Sequence, residues 1–366
     1  MQAVSDRLAE RRRKRALKRL PFREVSDAAA GVDNLSGPVK AARLLTRYLV
    51  RAAGYRSAGT ILRVVLRGFG PTRAGDRTGT REYVRYLLEV NRLRVEYLER
   101  LCAGDLHGAV QSKIRWAEHV IARSRSTLSR WDARNYLALL ARHGHYAGVE
   151  GRCAVRIERR TDRKFYIYGP NAGHPPDEKY RDYTLVITKP VELDLRAFTD
   201  KMLFINSMYY AKLAREPGLR ESIVREYGTI FVSCREAELS EPFVRSKFPL
   251  GGDIASAQGL GRVIYNLLRT YGRFTCVIEG FDMYVGKRTY APYYPHLGRD
   301  SKAMVSERSA CNGLKDHDAL FNFLYVKELA GMLEVVDSLA FKRLVGLSGT
   351  QYLDELALAR DFTSLC

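Results

Sequence analysis

The stretch FYIYGPNAG, Phe165 to Gly173, joins a short β-forming run to a turn made of glycine, proline and asparagine. Other β-rich runs, each ended by a turn or polar residue, are CAVRIE, YTLVITK, MLFIN, GTIFVSC and FTCVIEG. Helical stretches separate many of them, notably 257–271 and 319–336. Strands that alternate with helices predict an α/β fold with a mainly parallel, Rossmann-like sheet flanked by helices.

The character of the sequence changes at about residue 152, which predicts two domains. Residues 1–150 read as a basic α-helical region, with helices at about 81–103 and 108–126 and a third from near Trp131. Residues 151–366 read as the α/β domain, which ends in further helix at about 337–360.

The net charge of +20 is concentrated in the N-terminal region. Residues 1–150 hold 30 Lys and Arg against 14 Asp and Glu, whereas residues 151–366 hold 31 against 27. Eight of the basic residues lie within 7–19, and Arg43, Arg47 and Arg51 share one face of an amphipathic helix. An anionic membrane surface is the partner that this pattern favours.

The cysteines indicate a reducing, intracellular setting, and with the basic N-terminal region they predict a cytoplasmic protein that lies peripherally on the inner face of the membrane. The six cysteines contain no CxxC pair, and Cys234 and Cys276 lie in strand-like runs as reduced, buried thiols. No apolar run approaches the roughly 18 residues of a spanning helix, and the charged N-terminus has no signal-peptide core.

Ligands of a parallel sheet bind at the carboxyl ends of its strands, where the predicted turns would lie. Gly169 and Asn171 follow one predicted strand, and a Gly-rich turn lets backbone N–H groups approach a phosphate or ribose. The turn is neither GxGxxG nor a P-loop, which disfavours Rossmann dinucleotide binding and NTP hydrolysis. A plain tight turn is the alternative.

The stretch GFDMYVGKRTY, Gly280 to Tyr290, places two phenols six residues apart after another predicted strand. Two phenolic O–H donors, Tyr284 and Tyr290, can hold the oxygens of a departing phosphate without a metal. In a chain with 22 tyrosines, simple aromatic packing is the alternative.

The triplet Asp316, His317 and Asp318 stands immediately before an apolar helix and has three interpretations. The two carboxylates form a D-x-D, the pattern with which many nucleotide-sugar transferases hold Mg²⁺ or Mn²⁺. Asp318 can instead cap the helix. His317 can act as a general base at the helix N-terminus. Because no strand precedes the triplet, base or cap ranks above metal.

In their order and spacing, these motifs resemble the bacterial sialyltransferases that act on lipooligosaccharide. FYIYGPNAG resembles the nucleotide-binding turn of that family, with Asn171 at the Asn position, although the usual GNGPS is not reproduced. GFDMYVGKRTY matches the family's G-x-D-x-Y loop and its second tyrosine. The matching residues are Gly280, Asp282, Tyr284 and Tyr290.

Two more motifs extend the resemblance to roughly residues 160–340. His317 follows Tyr290 by 27 residues and opens a long helix, as the catalytic histidine of the family does. MLFINSMYY is similar to a strand, turn and aromatic run of the family. This similarity implies that Asn206 lies near the donor or the acceptor. The Ser-Gly pair of the family has only weak candidates here, namely Ser256, Gly259 and Gly261.

The resemblance implies a metal-independent, GT-A-like glycosyltransferase that inverts configuration and uses CMP-sialic acid or another CMP-linked keto-sugar such as Kdo. Its implied partners are this nucleotide-sugar donor and a glycan or glycolipid acceptor, with no further cofactor. By the resemblance, His317 is the base, Tyr284 and Tyr290 hold the leaving phosphate, and Asn206 and Ser256 lie near donor or acceptor. The implied nucleotide-binding residues are Gly169, Asn171, Gly280 and Asp282.

Two alternatives stay open at this point. A metal-dependent transferase of UDP- or GDP-sugars would use Asp316 and Asp318. A basic nucleic-acid-binding protein would use the charged N-terminal region, although no helix-turn-helix or zinc-finger pattern occurs in residues 1–150.

Overall fold

A computed structural model describes residues 77–147, 157–188, 193–233, 241–246 and 259–286, the segment 317–362, and the single residues 239, 254, 255, 257 and 314. The described chain forms two compact units, one that ends at Arg130 and also includes Phe362, and one that spans Trp131–Asp361. Residues 1–76, with the predicted basic helix, and residues 148–156, near the predicted domain boundary, lie outside the described part.

The first unit is built mainly on two long helices that pack through apolar faces. In chain order the N-terminal helices are α1 (Arg77–Cys102), α2 (Leu106–Arg123) and α3 (Thr127–Arg142). The boundary at Arg130 falls within α3, so most of that helix belongs to the second unit. Asp105 caps α2 by accepting from the N–H of Gly108 at 2.8 Å. The Lys113 amine lies 4.8 Å from the ring centroids of both Tyr97 and Trp116, so the buried stem packs between aromatic rings. These helices confirm the predicted N-terminal α-helical region.

The second unit is built on a seven-stranded, all-parallel sheet, which confirms the predicted α/β fold. The strands are β1 (Arg160–Tyr168), β2 (Thr184–Ile187), β3 (Lys201–Asn206), β4 (Thr229–Ser233), β5 (Phe243–Arg245), β6 (Arg273–Glu279) and β7 (Glu334–Val335). Their spatial order is β5-β4-β3-β2-β1-β6-β7. The four residues of β2 are all buried, as expected for a parallel strand covered on both faces.

Helices cover both faces of this sheet. They are α4 (Ser207–Leu213), α5 (Pro217–Glu226), α6 (Gly259–Tyr271), α7 (Ala319–Ala330), α8 (Leu339–Gly346) and α9 (Gly349–Ala359). On one face, alternate strand residues such as Tyr166, Leu203 and Val232 form a buried apolar cluster. On the other face Phe204 stacks on Phe231 at 4.4 Å between ring centroids. Among the described helices, none is long and apolar enough to cross a membrane.

Several element boundaries differ from those that the sequence predicts. The predicted helix 319–336 ends at Ala330, and β7 follows because its backbone pairs with β6. The predicted helix 337–360 is two helices, since Ser348 begins α9 with its own capping box. The short edge strands β5 and β7 were not predicted, and β1 begins five residues before Phe165.

Candidate functional site

The strand order places a topological switch point between β1 and β6. From β1 the chain adds β2 to β5 on one side of the sheet and then returns to add β6 and β7 on the other side. Connections therefore leave the carboxyl ends of β1 and β6 in opposite directions, and ligands of open α/β sheets bind in the crevice that results. The two turns that follow these strands are the ones that the sequence singles out.

Gly169 and Gly280 allow these two turns to touch through their backbones. The N–H of Gly169 donates to the carbonyl of Glu279 at 2.8 Å, and the N–H of Asn171 donates to the carbonyl of Gly280 at 3.0 Å. Gly280 has φ +71°, and a Cβ atom there would lie 2.5 Å from the Gly169 carbonyl oxygen. Both positions therefore require glycine, because a side chain would separate the two strand ends.

Asn171 and Asp282 contribute polar atoms to the same place. The side-chain oxygen of Asn171 is buried and has no hydrogen-bond partner among the described residues, so its capacity to accept a hydrogen bond is unused there. One carboxylate oxygen of Asp282 accepts from the N–H of Tyr284 at 2.9 Å. Burial raises the pKa of Asp282, although Tyr284, Arg360 and Asn171 act in the opposite direction.

The loop 282–286 holds Tyr284 in an unusual backbone conformation. Met283 and Tyr284 have φ +47° and +71°, a left-handed conformation that costs a non-glycine residue about 1–3 kcal/mol. Contacts from α9 and its C-terminal end hold the loop. The hydroxyl of the fully buried Tyr352 donates to the carbonyl of Met283 at 2.8 Å, and Arg360 donates to the carbonyls of Tyr284 (2.7 Å) and Gly286. Strain of this kind is commonly found at functional sites.

His317 meets Tyr284 over the carboxyl ends of the strands. The Tyr284 hydroxyl lies 3.3 Å from Nδ1 of His317, and the tautomer of the imidazole decides which group donates. A phenol and an imidazole in contact can transfer a proton and can each bind one end of a reacting group. The structure thus brings together two of the three predicted catalytic residues; Tyr290 lies outside the described residues.

Asp318 is the N-cap of α7, and it holds the start of the helix next to His317. Its two carboxylate oxygens accept from the N–H of Phe321 at 2.8 Å and from the Tyr136 hydroxyl at 3.0 Å. Asp318 is buried, and this capping geometry corresponds to one of the interpretations open from the sequence. Asp316 and Ser256 lie outside the described residues.

Asn206 ends β3 at the same edge of the sheet. Its side-chain oxygen accepts from the N–H of Tyr209 at 2.8 Å and so caps α4. The residue is exposed, and β2 lies between its strand and β1. Asn206 is therefore placed at the carboxyl edge of the sheet, next to the switch point rather than in it.

The structure adds a carboxylate that the sequence reasoning missed. Glu279, the last residue of β6, accepts from the buried Tyr166 hydroxyl, and its other oxygen lies 3.1 Å from Nε2 of His174. Burial raises the pKa of Tyr166, and the hydrogen bond to Glu279 raises it further. The glutamate of FTCVIEG was the signal in the sequence, because a charged residue at the end of an apolar strand lies at the edge of the sheet where ligands bind.

A polar cavity of about 430 Å³ lies at the opposite, amino edge of the sheet. Arg163, Thr184 and Asp200 contribute to its wall, and Arg163 bonds both the threonine hydroxyl and the aspartate. Ligands of parallel sheets bind at the other edge, so this cavity does not coincide with the predicted site. Among the described residues, no group of three His, Cys, Asp or Glu side chains could hold a metal ion.

Comparisons with protein-family models, curated proteins and solved structures find no significant match to this chain. The features that bear on function are those of the chain itself: the paired turns of β1 and β6, the strained loop 282–286 and the contact between Tyr284 and His317.

Proposed function

We propose that the chain is an inverting, metal-independent glycosyltransferase that moves sialic acid or a related keto-sugar such as Kdo from a CMP-sugar to a glycan acceptor. The observation that carries this proposal is the contact of Tyr284 with His317, 3.3 Å apart, beside the turns that end β1 and β6. A phenol donor and an imidazole base at a switch point are the groups that transfer of a sugar from a nucleoside monophosphate needs.

The reaction is a single displacement at the anomeric carbon. His317 accepts the proton of the acceptor hydroxyl while the acceptor oxygen forms a bond to the anomeric carbon. The bond from that carbon to the phosphate oxygen breaks, and CMP leaves with the electron pair. Tyr284 donates its O–H to the departing phosphate, for which a preorganised donor is worth about 2–4 kcal/mol of transition-state stabilisation.

Ligand binding would replace the mutual contact of Tyr284 and His317 with two contacts to substrate. Both side chains already lie at the crevice, and the strained backbone of Tyr284 directs the phenol toward the imidazole. Catalytic hydrogen bonds of this kind often shift between the free and the substrate-bound enzyme. In the proposed complex, the phosphate contacts Tyr284 and the acceptor hydroxyl contacts His317. The two groups lie on opposite sides of the anomeric carbon.

The turns of β1 and β6 form the proposed nucleotide cradle. Gly169 and Gly280 let the two turns lie directly against each other, and the buried oxygen of Asn171 beside them can accept from a ribose hydroxyl or a base amine. Asp282 stabilises the second turn by accepting a hydrogen bond from the N–H of Tyr284. Glu279 would place a further acceptor at the same edge.

The metal-dependent alternative receives less support from the geometry. Both oxygens of Asp318 already accept hydrogen bonds from within the unit, one from the backbone of α7 and one from Tyr136. Coordination of Mg²⁺ or Mn²⁺ by this residue would have to break the cap of α7. Asp318 therefore acts in the proposal as a support for His317.

Nucleotide binding tests the proposal directly. In a thermal-shift panel, CMP and CDP should stabilise the protein more than UMP, UDP, GDP and NAD, because a ligand at 100 times its Kd adds about 2.7 kcal/mol. Release of CMP from CMP-sialic acid in the presence of glycan acceptors then tests the transfer. A panel in which UDP or GDP stabilises more than CMP would transfer the assignment to the D-x-D class.

A further inference from the structure

Arg262, in the first turn of α6, is a buried cation without a counter-ion among the described residues. Its side chain is almost fully enclosed, with the residue 9% exposed. One guanidinium nitrogen donates to the Ser233 hydroxyl, and Nε has no hydrogen-bond partner in the described part of the chain. Burial lowers the pKa of Arg262 to about 10, and within the described part of the chain no acidic side chain offsets that shift.

A guanidinium in this situation is unfavourable for the folded protein. Transfer of a charge into the interior costs free energy unless a partner of opposite charge and further hydrogen bonds compensate. Natural proteins retain such destabilising groups mainly at functional sites. The described residues supply no such partner, and we infer that an anion of a ligand provides it.

The ends of β3, β4 and β5 place a row of polar residues beside this guanidinium. Asn206 and Ser233 are register partners, and the N–H of Ser246 donates to the carbonyl of Val232 at 2.9 Å, which puts Ser246 opposite Ser233. Strand alternation then places all three on one sheet face, together with Phe204 and Phe231. The Ser246 hydroxyl is buried and has no hydrogen-bond partner among the described residues.

We propose that Arg262, Ser233 and Ser246 form a subsite for an oxyanion of the substrate, either a carboxylate or a phosphate. The guanidinium offers Nε and its terminal nitrogens as a planar fork that fits two oxygens of such a group. The two serine hydroxyls can donate to the remaining lone pairs. The subsite lies at the carboxyl edge, where ligands of parallel sheets bind.

The position separates this subsite from the crevice at β1 and β6. Three strand spacings lie between β1 and β4, which corresponds to about 14 Å across the sheet. An anion at Arg262 is therefore a different part of the substrate from a phosphate held by Tyr284. The inference does not depend on the proposed function, since it needs only an acidic substrate.

Inorganic phosphate and N-acetylneuraminate serve as probes, each titrated at matched ionic strength and followed by thermal shift. One of them should stabilise the wild-type protein, and the one that does so identifies the anion as phosphate or carboxylate. Arg262→Met should weaken that binding by at least about tenfold, the loss expected for a charge-assisted hydrogen-bonded contact. Arg269→Met is the matched control, because Arg269 is exposed on the same helix.

Tyr284→Phe separates the two places at which phosphate could bind. Stabilisation through the Arg262 subsite should persist in this variant and disappear in Arg262→Met. Absence of stabilisation by either probe, or equal stabilisation of Arg262→Met and the wild type, would overturn the proposal. So would a response that is lost in Tyr284→Phe and kept in Arg262→Met.

Stability without any probe gives a second, independent criterion. If Arg262 awaits a ligand, Arg262→Met should melt at or above the wild-type temperature, because an uncompensated buried charge has been removed. Ser233→Ala, which removes a hydrogen-bond partner of the guanidinium, should bind the probe less tightly. A large fall in the melting temperature of Arg262→Met relative to Arg269→Met would mean a partner within the chain and would refute the subsite.

Discussion

At the scale of single residues, the close approach of the two strand turns depends on the absence of a Cβ atom at Gly280. A similar left-handed φ occurs at Gly144, which has φ +75° against +71° at Gly280. A Cβ atom at Gly144 would have no neighbour within 4 Å, whereas one at Gly280 would lie 2.5 Å from a carbonyl oxygen. Alanine at Gly144 therefore tests the cost of the left-handed backbone alone, whereas alanine at Gly280 adds the steric overlap.

Gly144→Ala should lower the free energy of unfolding by about 1–2 kcal/mol through its left-handed backbone alone. Gly280→Ala should lower it by about 1–3 kcal/mol more, because the turns of β1 and β6 must move apart. Urea denaturation of both variants measures the difference. Equal losses would mean that the two turns can separate at no cost.

His317→Ala tests the base. The rate constant kcat should fall by about 10²–10⁴, since a general base contributes that much, while CMP affinity should change only a few-fold. Tyr284→Phe should also lower kcat, and its deficit should shrink with a donor whose leaving group needs less stabilisation. His107→Ala, an exposed histidine of α2, is the control for the substitution itself. A near-normal kcat in His317→Ala would rule out the assignment.

At the scale of elements, α7 is held at both ends by α3. Near its start, Tyr136 of α3 donates to Asp318, and near its end Arg142 bonds Glu328 with Nε at 2.5 Å and a second nitrogen at 2.9 Å. The helix that follows His317 is thus fixed at two points nearly three turns apart. The position of the imidazole depends on both contacts.

Asp318→Ala should lower the free energy of unfolding by about 2–3 kcal/mol, because it removes a cap and the acceptor of Tyr136. Ser348→Ala, which removes only the cap of α9, should lower it by about 1 kcal/mol. Asp318→Asn keeps a capping oxygen and should retain transfer activity in excess EDTA. Activity of the wild type that is lost in EDTA and restored by Mn²⁺ would show that the aspartates hold a metal.

The contact at the end of α7 predicts a pH-dependent contribution to stability. Burial alone would raise the pKa of Glu328, but His143 and Arg142 lower it below its ordinary value of 4.5. The stabilisation is therefore present above pH 4.5 and is lost as the pH falls through the lowered pKa.

Glu328→Gln should accordingly be less stable than the wild type by about 1–2 kcal/mol at neutral pH. The difference should shrink in acid, as measured by urea denaturation across the pH range. Glu355→Gln is the control, since Glu355 pairs with the exposed Arg343 and such pairs contribute little. A difference for Glu328→Gln that stays constant with pH would contradict the assignment.

At the scale of the whole molecule, the basic excess of residues 1–150 favours an anionic membrane surface as partner. Deletion of residues 1–60 removes 14 Lys and Arg and 5 Asp and Glu. The net charge removed is therefore +9, nearly half of the total of +20. The deleted protein should no longer sediment with anionic liposomes, whereas turnover of a soluble acceptor should be largely unchanged. Salt should release the full chain from the same liposomes.

Binding to duplex DNA by the full chain and not by the deletion variant would favour a nucleic-acid partner instead. The experiment therefore needs both anionic surfaces at the same ionic strength, because either can attract a basic segment. Unchanged liposome binding after the deletion would contradict the membrane assignment.

The sequence alone determined the class of the fold and the type of most elements. Runs such as YTLVI are apolar throughout because a parallel strand is buried on both faces, and the intervening helices carry local capping signals such as Asp318 and Ser348. The sequence also indicated that Asn171, Tyr284 and His317 belong at one edge, since each follows a strand or opens a helix there.

Only the tertiary structure decided which of these residues meet. Tyr284 reaches His317 through a loop with two left-handed residues that are held by contacts from beyond residue 350, and no local pattern encodes such contacts. The strands β5 and β7, of three and two residues, exist because a neighbouring backbone pairs with them. Arg262 meets Ser233 because α6 begins over the end of β4, so its burial depends on the path of the chain across the sheet.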